Sequence, residues 1–359
     1  MIAFMVQART LGAGVIVAVA LTMLGPGGSG GSSQPPQVDL LARTQEYLRA
    51  HPGDARTWAL LGNLYAERAR RTGQSAYVPK AEGALQEATR LDPGNLDAVV
   101  GLGAVANIKH DFAKGYAWGI KARRADPRRA STYAVLFDAA IERGQPARAA
   151  RALDRLMALR ADVATFTRAA RMYELRGQPA RAAEALRRAA DTAVDPVDVA
   201  FCHHRLGELQ TDPAAALRSY ERALQADSGY AYALAGRARA QAALGATAEA
   251  AVSYQTAVNR LPAPAFLLEY GELLLKLGRD REARAQFAMV RATGDRLALG
   301  RYETGHGDPE AAVRLLRAEW RQRKTPEVAD ALDRALRRAG RTQARHLAEI
   351  ESIYQKPVP

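Results

Sequence analysis

Cysteine is nearly absent. The 359 residues include one, Cys202, so no internal disulfide framework holds the chain together and its redox compartment leaves no mark in the sequence. Aromatic residues are also few, at 6%, and apolar burial falls to aliphatic side chains, chiefly Ala and Leu. Those two lead the helix-propensity scale, and runs of Val, Ile and Thr that would favour strands are rare. There is no Gly-rich phosphate loop, no H-E-x-x-H and no C-x-x-C, which removes the motif-borne routes to nucleotide, zinc-hydrolase and dithiol chemistry. The turn "GHGDPE" holds His306 and Asp308, but Gly and Asp-Pro are ordinary turn residues.

A balance of acid and base is lacking as well. The formal charge is +13, which raises the question of a phosphate-bearing partner. The arginines, however, are spread through Ala-Arg-rich stretches such as "ARAARALDRL" and "ARAAEALRRAA", mixed with Asp and Glu and without interleaved aromatics. This pattern reads as solvated helix faces, and a nucleic-acid partner is not expected.

The amino terminus has a different character. Arg9 precedes the uncharged apolar run "LGAGVIVAVALTML", Leu11 to Leu24, and a Gly/Ser/Pro stretch follows. That is the layout of a secretory signal. Fourteen helical residues span about 21 Å, short of the roughly 30 Å hydrocarbon core. Residues 1–24 are therefore expected to be a signal peptide or an uncleaved membrane anchor, with 25–37 a linker. Either way the remainder, 38–359, is expected outside the cytoplasm, meeting a membrane only through the amino-terminal segment.

What fills that remainder is repetition. "WALLGNLYA" places Trp58, Leu61, Gly62 and Tyr65 in a W-x2-L-G-x2-Y spacing, and "AEGALQEATRLDP" adds Ala81, Leu85, Ala88 and Pro93. The small or aliphatic residue closing the second helix recurs at Ala88, Ala122, Leu156, Ala189, Ala223, Ala257 and Val290, in steps of 34, 34, 33, 34, 34 and 33 residues. "RLDPGN", "RADPRR", "QADSGY" and "NRLPAP" mark the joins, Pro standing where a helix cannot continue. Gly62, Gly103, Gly207 and Gly271 are expected where a first helix presses on its partner, with Ala81, Ala149, Ala182, Ala216, Ala250 and Ala283 opposite. The first repeat has seven extra residues around "RTGQSAYVP", and the fifth has a clipped turn, "QTDPA".

This pattern is the tetratricopeptide repeat, and from about Val38 to Gly340 the chain resembles exported tetratricopeptide-repeat proteins of high-GC bacteria, a group for which the resemblance implies a fold and no established activity. The implied architecture is all-α, a right-handed superhelical solenoid of about eight helix-turn-helix repeats. Residues 38–54 read as an amino-terminal capping helix, 55–325 as the repeats, and 326–355 as a carboxy-terminal capping pair with a charged outer face. No stretch outside the repeats is long enough to be a catalytic domain, so the chain reads as a non-enzyme without a cofactor or bound metal.

In such arrays the first helices line a concave groove. The residues expected to face it are Asn63, Asn107, Asp138, Arg168, Arg171, Phe201, His204, Arg205, Tyr232, Arg239, Glu269 and Glu272. Arginine forks with aromatic neighbours suit a peptide or protein ligand, an acidic one in particular. A spacer or self-assembling envelope component without a groove ligand is the alternative. One subtype of the family pairs a Lys with an Asn to clamp chaperone carboxy termini; Asn63 fits, but Ala59 stands where the Lys would be, so that specificity is not implied. In "FCHHRLGE" the register puts His203 in the place of Trp58 and turns His204 into the groove, where it would respond to pH. Adjacent helical histidines cannot readily close on one metal, for which i, i+4 is the helical spacing.

Overall fold

The computed structural model describes residues 37–341 and 345–355. The expected signal or anchor lies outside them. Among the described residues there are nineteen α-helices and no strand, and none of the helices is long and apolar enough to cross a membrane. After a first helix, α1 (Gln37–Ala50), the helices come in consecutive packed pairs. The chain divides into two compact units. An N-terminal one reaches Ala140 and includes Arg148–Ala164; a C-terminal one comprises Ile141–Ala147 and the chain from Thr165 on.

The N-terminal unit contains the pair α2 (Ala55–Thr72) and α3 (Tyr77–Leu91), then α4 (Leu96–Ile108) and α5 (Phe112–Ala125), with most of α6 (Ala130–Glu142) and α7 (Pro146–Leu159). Helix starts are set by side-chain caps. Asp54 accepts from the backbone of Arg56 and Thr57, Asn95 from Ala98, and Asp111 from Lys114, each satisfying an amide that has no intrahelical partner. The extra residues of the first repeat lengthen α2 and add a loop that begins at the left-handed Gly73.

Helix order in the C-terminal unit runs from α8 (Val163–Leu175) and α9 (Pro179–Thr192) through α10 (Pro196–Glu208) and α11 (Pro213–Ala226) to α12 (Ala231–Ala243) and α13 (Thr247–Arg260). It continues with α14 (Pro264–Lys276), α15 (Asp280–Thr293), α16 (Arg296–His306) and α17 (Pro309–Gln322). The last pair is α18 (Pro326–Arg338) and α19 (His346–Gln355). Six of these helices have Pro in their first turn, where its missing N–H costs nothing.

The repeat positions are the core. Ala88, Ala122, Ala189, Ala223, Ala257 and Val290 are fully buried, and Leu156 nearly so. A Cβ on Gly62 would come within 2.5 Å of Leu85, on Gly207 within 2.6 Å of the Tyr220 ring, and on Gly271 within 2.4 Å of the Phe287 ring. All three contacts lie within one helix pair, as the register requires. Gly103 differs in degree, since its Cβ would strike Val135 of α6 at 2.8 Å and then Trp118 of its own partner α5 at 3.2 Å, so this glycine admits the next pair as well as its own partner. Midway through the pairs, Gly144, Gly177, Gly245 and Gly278 hold the left-handed turn, each two residues before the second helix. His110 takes that place before α5, with φ of 59°, and its ring stacks on Phe112.

In the pair read as a cap, α18 turns its acidic residues inward while Arg334, Arg337 and Arg338 stay exposed. In α18 the run Glu327 to Asp333 is buried without a break. The join to this pair also returns to the segment that opens the C-terminal unit. Arg323 Nε donates to Glu142 Oε2 at 2.7 Å, the Lys324 amide donates to the Glu142 carbonyl at 2.7 Å, and the Tyr354 hydroxyl donates to the Ile141 carbonyl at 2.9 Å. Asp333 caps α19 by accepting from the amides of His346 and Leu347.

Candidate functional site

The first helices of the repeats carry the residues expected in a groove. In the N-terminal unit these side chains join one pair to the next. Asn63 Nδ2 donates to the Asp97 carbonyl at 3.4 Å, and Asn107 Nδ2 donates to the Val135 carbonyl at 3.1 Å. Asp138, on α6, is buried.

In the C-terminal unit the charged positions form a ladder. Arg171 on α8 donates to both oxygens of Glu327 on α18, at 3.0 and 3.3 Å, and lies 3.5 Å from Glu174. Arg205 on α10 donates to the two Glu174 oxygens at 2.7 and 2.5 Å. Arg239 on α12 spans the next step, 3.2 Å from Glu208 and 3.3 Å from Glu269. Glu269 on α14 also accepts from the Tyr254 hydroxyl at 3.0 Å, while Glu272 sits 3.7 Å from His306 on α16. Arg168 and Phe201 are buried, and half-buried Tyr232 meets the Phe266 ring edge-on at 5.2 Å. The fold thus assembles Arg171, Arg205, Arg239, Glu269 and Glu272 into one run and commits most of their charge to neighbours.

Burial decides the electrostatics of this run. Desolvation pushes carboxyl groups up, but Arg171 and Arg323 overcome it at Glu327, whose pKa is held at about 2. Glu208 is likewise below the usual range: burial opposes the shift, and the charges around it, Arg239 and Arg205 included, outweigh burial. Arg171 and Arg239 are raised above the ordinary arginine value, their carboxylate partners outweighing desolvation. Glu272 is raised, first by burial and then by Glu269 beside it.

His204 does not face solvent. It is 4% exposed, ringed by Tyr220, Tyr230 and Tyr232 at centroid distances of 5.7 to 5.9 Å, with Nε2 3.7 Å from Glu208. Burial, supported by Arg239 and Arg205, lowers its pKa to about 4, so it is neutral near pH 7 and is not the groove titrant expected from its register. Cys202 is fully buried and its thiol is pushed up to about 12, first by desolvation. Among the described residues no group of three or more His, Cys, Asp or Glu could hold a metal ion.

Sequence reasoning passed over the carboxylate partners Glu174 and Glu327, and also Arg301. Arg301 follows Gly300 just as Glu208 follows Gly207 and Glu272 follows Gly271, and in the same slot Arg171 and Arg239 follow Ala170 and Ala238. Charge in that slot therefore alternates from repeat to repeat: Arg171, Glu208, Arg239, Glu272, Arg301. This alternation was the available signal. Arg301 differs from the rest of the series in degree, since Arg171 Nε, Glu208 Oε2 and Arg239 Nε lack a hydrogen-bond partner too, one atom each. The Arg301 Nε and Nη2 are both buried without a hydrogen-bond partner among the described residues, and burial lowers its pKa although Glu269, Glu327 and Asp330 pull the other way.

No family model matches the chain, and no curated protein is similar to it in sequence. Solved structures are similar in fold. The APC/C hetero-tetramer Cut9-Hcn1 superposes with a TM-score of 0.51 at 14% identity, over 84% of this chain and 52% of that one. The human IFIT1 dimer with m7Gppp-AAAA gives 0.56 at 13% identity, over 89% of this chain and 76% of that one. Both are arrays of tetratricopeptide-type helix pairs. The fold is the tetratricopeptide repeat. This tetratricopeptide array spans about half the length of the Cut9-Hcn1 chain it matches. Its ladder is built from the positions that set one tetratricopeptide unit against the next.

Proposed function

We propose that the protein is a non-catalytic interaction scaffold outside the cytoplasm, taking a peptide or protein partner on the concave face of its first helices. The observation that carries this reading is Arg301. A buried guanidinium with two unmet donors is costly to keep, and a carboxylate from an acidic partner segment would satisfy both. The same face already holds one carboxylate borne on a helix, Glu327 on Arg171. An extended acidic segment would lie along the ladder with one acidic group on Arg301. The extracytoplasmic placement draws on Arg9 and the apolar run Leu11 to Leu24.

Arg301→Gln tests the site directly, since among the described residues Arg301 makes no ion pair that its loss would break. Affinity for a fluorescein-labelled oligoglutamate peptide, measured by anisotropy, should fall about tenfold, the value of one charge-assisted pair, with thermal stability unchanged or raised. Equal affinity in the two proteins would remove the groove reading. A reporter enzyme fused after Pro36 tests export, and reporter activity confined to the cytoplasm would overturn the placement.

A further inference from the structure

One surface of the N-terminal unit concentrates positive charge on two neighbouring helices. Helix α5 carries Lys114, Lys121, Arg123 and Arg124 and no acidic residue. Helix α7 carries Arg148, Arg151 and Arg155 against Asp154 alone. Lys114, Lys121 and Arg124 fall on one stripe of α5 at helical spacing, as do Arg148, Arg151 and Arg155 on α7, and all six are exposed. The guanidinium of Arg148 lies over the Tyr116 ring of α5 at 5.4 Å, which brings the two stripes together. Lys114, Lys121, Arg124, Arg151 and Arg155 make no ion pair among the described residues. On α9, by contrast, Arg181, Arg187 and Arg188 are offset by Glu184 and Asp191, and Arg188 is 2.7 Å from Glu184. The even mixing of charge read from the sequence thus fails at α5 and α7. Uncompensated like charges on one face repel unless an anionic surface meets them.

We propose that this basic face docks on an anionic membrane surface, its cations meeting phosphate-bearing lipid headgroups. Two observations favour lipid over nucleic acid. The aromatic rings at this face are already covered by the chain's own cations: Lys121 lies over Trp118 at 5.0 Å and Arg155 over Tyr133 at 5.9 Å, as Arg148 does over Tyr116. Tyr133 is buried, and a base stacking on half-buried Trp118 or Tyr116 would compete with the chain's own cation, which disfavours the stacking on which single-strand binding depends. The apolar run ending at Leu24 also precedes α1 of this same unit by 12 residues, 25–36. Even fully extended, that stretch spans no more than about 45 Å, so a bilayer engaged by the run stands within that reach of the start of α1, in the unit that carries the basic face. The inference rests on that amino-terminal reading and is independent of the ladder.

The experiment is flotation of the full-length chain with vesicles of phosphatidylcholine alone or with about one third phosphatidylglycerol. Each Lys or Arg at an anionic surface contributes about fivefold in affinity, so the anionic vesicles should be preferred by more than tenfold at low salt, with the preference shrinking at high salt. The apolar run acts alike on both vesicle types, which is why the ratio is the readout. Lys121→Glu with Arg151→Glu and Arg155→Glu should abolish the preference without lowering the melting temperature, and Arg151→Lys with Arg155→Lys should retain it. Equal partition of the wild-type chain between the two vesicle types, or an unchanged ratio in the charge-reversed protein, would overturn the proposal. So would displacement from vesicles by a single-stranded oligonucleotide at lower concentration than the competing lipid, which would assign the face to nucleic acid. The lipid ratio is blind to export and to peptide capture, so either reading can fail without the other.

Discussion

Between successive first helices the N-terminal unit places Val99, Val100 and Val135, together with Ala122, in one buried apolar cluster, and its ion pairs, such as Arg129 with Asp97 at 2.6 Å, lie toward solvent. The C-terminal unit puts Arg171, Arg205, Glu208 and Arg239 between the same elements, half-buried and paired with one another's neighbours, with the Glu208 side chain only 4% exposed. Apolar contact tolerates loss of any one partner at the cost of a cavity. A buried ion chain does not, because each deletion strands a charge in low dielectric. The same helix pair is therefore fastened by two mechanisms with opposite sensitivities: the ladder depends on every member and on pH, while the apolar joins depend on volume.

The largest contrast is expected from Glu327→Ala, which leaves Arg171 buried beside Glu174 alone. It should destabilise the chain by about 3–5 kcal/mol in urea or thermal unfolding. A comparable second effect is acid sensitivity centred on His204, which faces Glu208, Arg205, Arg239 and three tyrosines. Its folded pKa of about 4 lies below the unfolded value of 6.5, so the unfolded chain binds the proton first. Stability is then full above pH 6.5 and declines as pH falls toward 4, by about 3 kcal/mol in all. His204→Phe should flatten unfolding free energy across that window, and an unchanged slope would show that the ring is already charged.

Packing effects come next. Gly271→Ala drives a Cβ to within 2.4 Å of the Phe287 ring and should cost about 1–3 kcal/mol by overpacking, seen as a lower denaturant midpoint. In the N-terminal unit His110→Gly removes a left-handed non-Gly residue and should raise stability by up to about 1 kcal/mol, provided the stacking on Phe112 contributes less than the backbone strain. Asp97→Ala breaks only the solvent-facing pair with Arg129 and should shift the midpoint by less than about 1 kcal/mol. If Asp97→Ala and Glu327→Ala cost the same, the contrast between the units fails.

Much of this was legible in the residues themselves. The 34-residue period placed Ala88, Ala122 and Ala189 in the core because a small residue at that step lets two helices approach closely, while Leu156 and Val290 fill the same step with larger aliphatic side chains. The glycine slots followed for the same reason, Gly103 only in part, since nothing local says whether a close approach is made by a helix's partner, by the next pair or by both. The residues read as groove-facing do lie on the first helices of their pairs. Their ionic partners were harder to see: Glu327 is 156 residues from Arg171, and no helical or repeat spacing connects the two.

The sequence by itself determined the helix pair, its period and the positions that must be small, because these are local demands of propensity, capping and close contact. Only the tertiary structure decided that the acidic residues of α18 are buried, that His204 is enclosed by tyrosines, and that the Arg171–Glu208–Arg239 series is spent largely on itself. Those outcomes depend on which distant segments meet, and so on the desolvation of charges whose spacing along the chain gives no hint of their separation in space.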